Sequence, residues 1–137
     1  MILHPSDETA GNTADIDDDA DNLQANRQLT LWGYTNLGDP RFIWESDRFV
    51  VTQMSDNHST KIGLLQECGS VSYEVDGYRF TKTVLLTPGA SYPDKNCNLE
   101  IYTNSEMLEL ETLSGLVRLK SGESASHEEH WRLDQLN

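Results

Sequence analysis

A chain of 137 residues is long enough to form one domain with a hydrophobic core and too short for two. It contains 10 Lys and Arg against 23 Asp and Glu, which gives a formal net charge of −13 at pH 7, and no basic cluster reverses this balance locally. Such a surface repels phosphate groups, so we expect neither nucleic acid nor an anionic membrane as a partner.

The N-terminal segment 1–27 is predicted to lie outside the folded domain. Between Ser6 and Asn26 it is rich in Asp, poor in large apolar residues and without helical or strand periodicity, so it cannot offset the entropy cost of becoming ordered. Acidic residues also follow Met1–Pro5, where a signal peptide would carry its apolar stretch. We therefore predict a cytoplasmic protein with an acidic, disordered segment 1–27 and one β-sandwich domain at 28–137.

Short stretches with strand character begin at Gln28. LTLWGY at 29–34 alternates in character, and strand-like runs follow at 49–54 and 61–66. Between them, Asp39 as an N-cap and Pro40 at the first helical position predict a single helical turn.

The sequence from 70 to 87 predicts a β-hairpin. Asp76-Gly77 is the strongest short hairpin signal in the chain, and it joins a predicted strand at 70–75 to a second one at 78–87. Pro88-Gly89 then ends the second strand, and a loop continues to Cys97.

The segment 98–113, NLEIYTNSEMLELETL, predicts a second hairpin with its turn at Asn104-Ser105. Because strand side chains alternate, Leu99 and Ile101 would face the core opposite Leu110 and Leu108. The other face then carries Glu100, Tyr102, Glu109 and Glu111. This register sets Glu100 opposite Glu109, which costs about 0.2 to 1 kcal/mol unless a cation or a ligand offsets the repulsion.

Two further strands are predicted, at 116–120 and at 126–136. The total is eight or nine short strands with turns between them and almost no helical periodicity, which predicts an all-β protein, either an antiparallel β-sandwich or a barrel.

Several motifs occur together in one order: LWGYTNLGDPR at 31–41, KIG at 61–63, YPDKNCNLEIYTN at 92–104, LELETL at 108–113 and SHEEHW at 126–131. In these motifs the chain resembles bacterial galactose-mutarotase-like, aldose-1-epimerase-like β-supersandwich proteins. The resemblance favours the sandwich over the barrel and implies a surface that faces carbohydrate. Members of this family are longer, and the chain resembles their C-terminal half. The resemblance therefore implies a homodimer in which a second copy covers the exposed sheet edges.

Mutarotase chemistry needs a carboxylate base and a histidine acid, because ring opening removes one proton and delivers another. Glu100, Glu109 and Glu111 are candidate bases. The histidines do not match: His58 lies in a loop, and His127 and His130 are three residues apart on a predicted strand and so point to opposite faces. Residual aldose 1-epimerase activity is therefore an alternative rather than the main hypothesis, and no catalytic residue is assigned.

Sugar binding typically uses aromatic rings against the apolar face of the sugar and charged groups for its hydroxyls. The candidate aromatic residues share a position on the polar side of their strands, which favours a surface role over core packing. They are Trp32, Tyr34 and Tyr102. The charged candidates are Arg41, Lys61, Lys82, Glu100, Glu109 and Glu111. Trp44 and Trp131 are assigned to packing.

Metal ligands are the other site class. Asp56 with His58, His127 with Glu129, or a Ca²⁺ ion between Glu100 and Glu109 would each give only a fragment of a site. The two cysteines, Cys68 and Cys97, have no metal-like spacing, and free thiols are favoured over a disulfide. We predict no metal and no cofactor.

The leading hypothesis from the sequence is a small, non-catalytic β-sandwich that binds a carbohydrate or a similar polar ligand. An oligomerising protein-interaction module with no ligand site is the alternative from another functional class.

Overall fold

The computed structural model describes residues 2–3, 28–45, 48–55, 58–66 and 70–137. These residues contain ten strands, and all their pairings are antiparallel. The strands are β1 (Ile2–Leu3), β2 (Gln28–Leu31), β3 (Phe42–Trp44), β4 (Phe49–Val51), β5 (Thr60–Leu65), β6 (Ser70–Val75), β7 (Tyr78–Thr83), β8 (Leu99–Thr103), β9 (Leu108–Thr112) and β10 (His130–Gln135). A four-residue helical segment, Pro93–Asn96, precedes β8.

The strands form two sheets. A six-stranded sheet has the order β10-β7-β6-β1-β4-β3, and a four-stranded sheet has the order β2-β5-β8-β9. The prediction of an all-β, antiparallel sandwich-like fold is therefore confirmed. The described residues include no helix that is long and apolar enough to cross a membrane.

The core lies between the two sheets. Each sheet has an inner face, directed at the other sheet, and an outer face, directed away from it. The buried apolar cluster contains inner-face residues of both sheets, namely Phe42, Phe49, Val51 and Val71 from the six-stranded sheet and Ile62, Leu99 and Ile101 from the four-stranded sheet. Burial of these side chains is the main favourable contribution to folding.

The predicted hairpin at Asp76-Gly77 is confirmed. The two residues have φ values of 51° and 76°, and a two-residue hairpin loop needs positive φ at both central positions when its twist matches that of the strands. The turn pairs β6 with β7 from Val75↔Tyr78 to Ser70↔Thr83.

The single turn predicted after Asp39 is present, but it is a hydrogen-bonded turn and not part of a helix. Asp39 does cap a turn, since its Oδ1 accepts the backbone N–H of Arg41 at 3.0 Å, and its carbonyl accepts that of Phe42 at 3.0 Å. The chain then continues as strand β3, which pairs with β4. Burial of Phe42 in the core outweighs the local signal for a helix, because an N-cap and a proline fix only the start of a turn.

The strand predicted at 116–120 is not formed, and every residue of this segment is exposed. One backbone hydrogen bond ties this segment to the rest of the described chain: the N–H of Leu116 donates to the carbonyl of Ser91. At β9, the ammonium of Lys82 donates to the backbone carbonyl of Leu110 at 3.1 Å. Several other strands are shorter than predicted, and the last one spans His130–Gln135 rather than 126–136.

Strand β1 was not predicted, because it lies in the N-terminal segment. It pairs with both β4 and β6 and so forms part of the six-stranded sheet. The rest of the acidic segment, residues 4–27, lies outside the described residues, as do Asp56 and Cys68. Cys97 is a free, buried thiol.

Candidate functional site

The outer face of the four-stranded sheet carries most of the predicted site residues. The alternation of side chains places Lys61 of β5, Glu100 and Tyr102 of β8, and Glu109 and Glu111 of β9 on this face. The predicted division of the 98–113 hairpin into an apolar face and an acidic face is confirmed.

The predicted register of this hairpin is wrong by two residues. Ile101 pairs with Leu110, Glu100 with Glu111, and Tyr102 with Glu109. The cause is the loop, which spans four residues because the side chain of Asn104 accepts the backbone N–H groups of Glu106 at 2.8 Å and Met107 at 2.9 Å. A shift by two residues keeps every side chain on its predicted face.

A single ammonium group offsets the like-charge pair. Lys61 Nζ lies 2.6 Å from Glu100 Oε2 and 3.1 Å from Glu111 Oε1. The same Nζ lies 5.0 Å from the centre of the Trp32 ring, which adds a cation–π contact. The side chain of Lys61 is only 16% exposed and that of Glu100 only 2%, so solvent screens this ion pair weakly.

Burial and hydrogen bonding act in opposite directions on the pKa of Lys61 and on the pKa of Glu100. Burial disfavours the charged form of Lys61, but hydrogen bonds to Glu100 and Glu111 outweigh it and raise the pKa of Lys61. Burial also raises the pKa of Glu100; Lys61 lowers it again, and the carboxyl of Asp94 adds to the rise.

Trp32 and Cys97 pack on the sheet at Gly63, which is the cross-strand neighbour of the buried Glu100. A Cβ atom at Gly63 would lie 2.6 Å from Cys97 Sγ and 3.0 Å from the Trp32 ring. No side chain larger than hydrogen fits there unless these two residues move. Glycine inside a strand often marks such a close approach.

The segment Pro93–Asn96, here called the left-handed turn, lies next to Cys97. Asp94, Lys95 and Asn96 have φ values of 47°, 61° and 74°. Each non-glycine residue in this conformation costs about 1 to 2 kcal/mol. The turn is held by hydrogen bonds: the Cys97 thiol donates to the carbonyl of Asp94 at 3.0 Å, the backbone N–H of Tyr92 donates to Asn96 Oδ1 at 2.9 Å, and Gln28 Nε2 donates to the carbonyl of Lys95.

The two carboxyl oxygens of Glu100 differ in their contacts. Its Oε2 binds Lys61, whereas its buried Oε1 has no hydrogen-bond donor among the residues that the structure describes. Asp94 interacts with Glu100 through its carboxyl, and two carboxyls form a hydrogen bond only when one of them is protonated. The site therefore contains a buried acceptor beside a strained turn, an arrangement more typical of functional sites than of ordinary surface.

Two tyrosines border the group. Tyr102 Oη shares a hydrogen bond of 2.8 Å with Ser59 Oγ and accepts a second one from Asn104 Nδ2 at 3.2 Å, so its ring is held in place. Tyr34 is exposed. Burial raises the pKa of Tyr34, and the positive charge of Lys61 acts against this rise.

Two of the predicted binding residues have other roles. Arg41 is buried, and its guanidinium donates to Asp39 Oδ1 at 2.9 Å, to Asp39 Oδ2 at 2.6 Å and to the carbonyl of His58 at 2.8 Å. It fixes the loop between β2 and β3 rather than facing solvent. Lys82 lies on the inner face of the six-stranded sheet, where its Nζ binds the carbonyl of Leu110 and Glu129 Oε1 at 3.2 Å. Neither side chain belongs to the outer-face site.

The histidines of the last segment pair with neighbouring acids. His127 Nε2 lies 3.6 Å from Glu129 Oε1, and His130 Nε2 lies 3.3 Å from Glu128 Oε1. In the part of the chain that the structure describes, no three His, Cys, Asp or Glu side chains are grouped to hold a metal ion. Glu109, proposed above as a calcium ligand with Glu100, instead lies opposite Tyr102.

Sequence reasoning missed Gly63, Asp94 and Cys97. The glycine inside the strand KIGLL was a usable signal for Gly63, because it breaks a run of larger side chains. No local signal indicates that Cys97 packs on Gly63, since the two residues meet only through the pairing of β5 with β8.

Comparison with known proteins gives no assignment. The chain matches no model of a known protein family, no curated protein and no solved structure.

Proposed function

We propose that the chain is a non-catalytic β-sandwich protein that binds a carbohydrate or a similar polar ligand on the outer face of its four-stranded sheet. The observation that carries this proposal is the Lys61 ammonium, held between Glu100 and Glu111 and beneath the ring of Trp32. Charged hydrogen-bonding groups fixed beside aromatic rings suit a ligand with many hydroxyls and an apolar ring face.

The exposed part of this face would make the first contacts. Tyr34 supplies an accessible ring, and Glu109 and the half-buried Glu111 supply acceptors for hydroxyl groups. Glu100 Oε1 is a further acceptor, which a ligand hydroxyl would reach only after a movement that exposes this buried atom.

The resemblance to galactose-mutarotase-like proteins is part of this proposal. It agrees with the all-β sandwich-like fold, and it is the reason for choosing a carbohydrate as the ligand. It rests on the sequence motifs alone.

A glycan array probed with the labelled protein tests the proposal, with hits confirmed by calorimetry. Tyr34→Ala and Glu111→Gln should each weaken binding by about tenfold, the effect expected for the loss of one stacking or charged hydrogen-bonding contact. Glu128→Gln is the matched control, because Glu128 is exposed and pairs with His130 away from this face. If the folded protein binds no glycan, or if the control weakens binding equally, the proposal is wrong.

A second candidate function, an oligomerising protein-interaction module, is favoured by a different observation. Large apolar side chains are exposed at one end of the six-stranded sheet, among them Tyr78, Trp131 and Leu133. Contiguous apolar surface of this kind typically marks an interface.

A further inference from the structure

The inner face of the six-stranded sheet extends beyond the four-stranded sheet at strand β10. The ladder from Val71 to Lys82 to Trp131 runs across β6, β7 and β10 on this inner face, as does the ladder from Tyr73 to Phe80 to Leu133. Val71 is buried in the core, whereas Trp131 and Leu133 are each 67% exposed. The apolar face of the sandwich thus continues into solvent at its β10 end.

The exposed tryptophan is held rigidly. Its ring packs edge-on against Phe80, with 5.5 Å between the ring centres and 82° between the planes. Its Nε1–H donates to Glu129 Oε2 at 2.8 Å, and Lys82 Nζ lies 5.8 Å from the ring centre. An ordered aromatic ring loses little entropy when it is buried by a partner.

Strand β10 is also a sheet edge. It pairs with β7 on one side, and no other strand in the described parts of the chain pairs with it on the other side. An edge strand with exposed apolar side chains is a template for a further strand. The strand His130–Gln135 contains one Arg and one Asp, so it is locally neutral in a chain of net charge −13. This edge is therefore a place where two copies can meet with little mutual repulsion.

We propose that β10 pairs antiparallel with β10 of a second copy, about a two-fold axis at Leu133, and joins two six-stranded sheets into one. This inference rests on the second candidate function, that of an oligomerising module, and is independent of the ligand site. An isologous contact of this kind closes on itself and forms a dimer rather than a fibre.

Physical chemistry selects this register over its neighbours. With Leu133 on the axis, Arg132 of each copy lies opposite Asp134 of the other, which gives two opposite-charge pairs on the outer face. The inner face then carries Leu133 against Leu133, with Trp131 opposite Gln135 on either side. Within one copy, Arg132 Nε already donates to Asp134 Oδ2 at 2.8 Å. Both side chains are solvent-accessible, 71% and 41% exposed, so in the dimer they would exchange this pair within the strand for the two pairs across the interface.

The alternative registers are worse. Moving the axis to Arg132 sets two arginines opposite each other, and moving it to Asp134 sets two aspartates opposite each other, both of which are unfavourable. A register shifted by one residue would place inner-face side chains of one copy opposite outer-face side chains of the other. The apolar side chains of the two copies would then no longer share one face.

Sedimentation velocity on the full chain across a dilution series tests the proposal, and the wild type should sediment as a dimer that dissociates on dilution. Arg132→Asp sets aspartate opposite Asp134 twice, and Asp134→Arg sets arginine opposite Arg132 twice. Each should raise the dissociation constant about tenfold or more. The double variant R132D/D134R restores both opposite-charge pairs and should return the constant close to the wild-type value.

Arg118→Asp is the charge-matched control, because Arg118 is exposed and lies outside β10. It should leave the dissociation constant unchanged. Circular dichroism on each variant separates loss of the dimer from loss of the fold. A folded wild type that stays monomeric overturns both this interface and the oligomerising function. A dimer that survives both single variants, or that the double variant fails to restore, overturns the β10 interface alone.

Discussion

Glu100 and Glu111 lie directly opposite each other on β8 and β9, and both carboxylates bind the same ammonium group, that of Lys61. Two like charges in a cross-strand pair destabilise a sheet. Here the third strand, β5, supplies the cation that turns the repulsion into an ion-pair network. The outer face of the four-stranded sheet therefore depends on Lys61 for its stability.

Replacement of Lys61 should be strongly destabilising. Lys61→Met removes the ammonium and leaves the buried carboxylate of Glu100 unpaired opposite Glu111. Removing one partner of a buried ion pair costs about 3 kcal/mol or more. Urea unfolding at neutral pH measures the effect.

A double-mutant cycle checks the cause of that loss. In a Glu100→Gln background the charge at position 100 is absent, so Lys61→Met should cost much less than it does in the wild type. If the cost is the same in both backgrounds, Lys61 stabilises the protein through its stem and its contact with Trp32 rather than through Glu100.

The stability of the protein should decline as pH rises above the ordinary pKa of Glu100. Burial raises the pKa of this carboxyl above its usual 4.5, Lys61 opposes the rise, and Asp94 adds to it. The folded state therefore holds the proton more tightly than the unfolded state does. The stabilisation from Glu100 is fully present below pH 4.5 and is lost as the pH rises through the folded-state pKa.

Glu100→Gln should remove this decline, which is measured as the free energy of unfolding between mildly acidic and neutral pH. Parallel curves for the two proteins would contradict the assignment.

Glu129 should act with the opposite sign. Burial alone would raise its pKa, but hydrogen bonds from Thr112, Trp131 and Lys82 outweigh burial and lower it below 4.5. The stabilisation from Glu129 is therefore present above pH 4.5 and is lost as the pH falls through the folded-state pKa. Glu129→Gln should lower stability at neutral pH and flatten the loss in acid, as followed by thermal unfolding. Glu128→Gln, at an exposed neighbouring carboxylate, should change neither.

The face composition of the 98–113 hairpin could be predicted from the sequence, but its register could not. Alternation fixes which side chains share a face, and a shift by two residues leaves this unchanged. The register depends on the length of the loop, which the side chain of Asn104 sets by binding two backbone N–H groups. The hairpin at Asp76-Gly77 was predictable to the residue because its turn type leaves no such freedom.

The contacts between strands that build the site could not be predicted from local sequence patterns. The sequence identified Lys61, Glu100 and Glu111 as candidates, yet their meeting at one ammonium depends on the order β5-β8-β9 within the sheet. Arg41 was assigned to a ligand by its charge, whereas its neighbour Asp39 holds it inside the protein. Charge alone does not distinguish a binding residue from one half of a buried ion pair.

Gly63 gives the sharpest test of how Trp32 and Cys97 pack on the four-stranded sheet. A methyl group at this position would approach Cys97 Sγ to 2.6 Å and the Trp32 ring to 3.0 Å, so Gly63→Ala should displace both. Overpacking of this kind costs about 1 to 3 kcal/mol. We expect a lower unfolding midpoint and a change in tryptophan emission that disappears in a Trp32→Phe background. Gly33→Ala is the control, because a Cβ atom there meets nothing within 4 Å. Unchanged stability and emission in Gly63→Ala would show that Trp32 and Cys97 do not pack tightly on the sheet at Gly63.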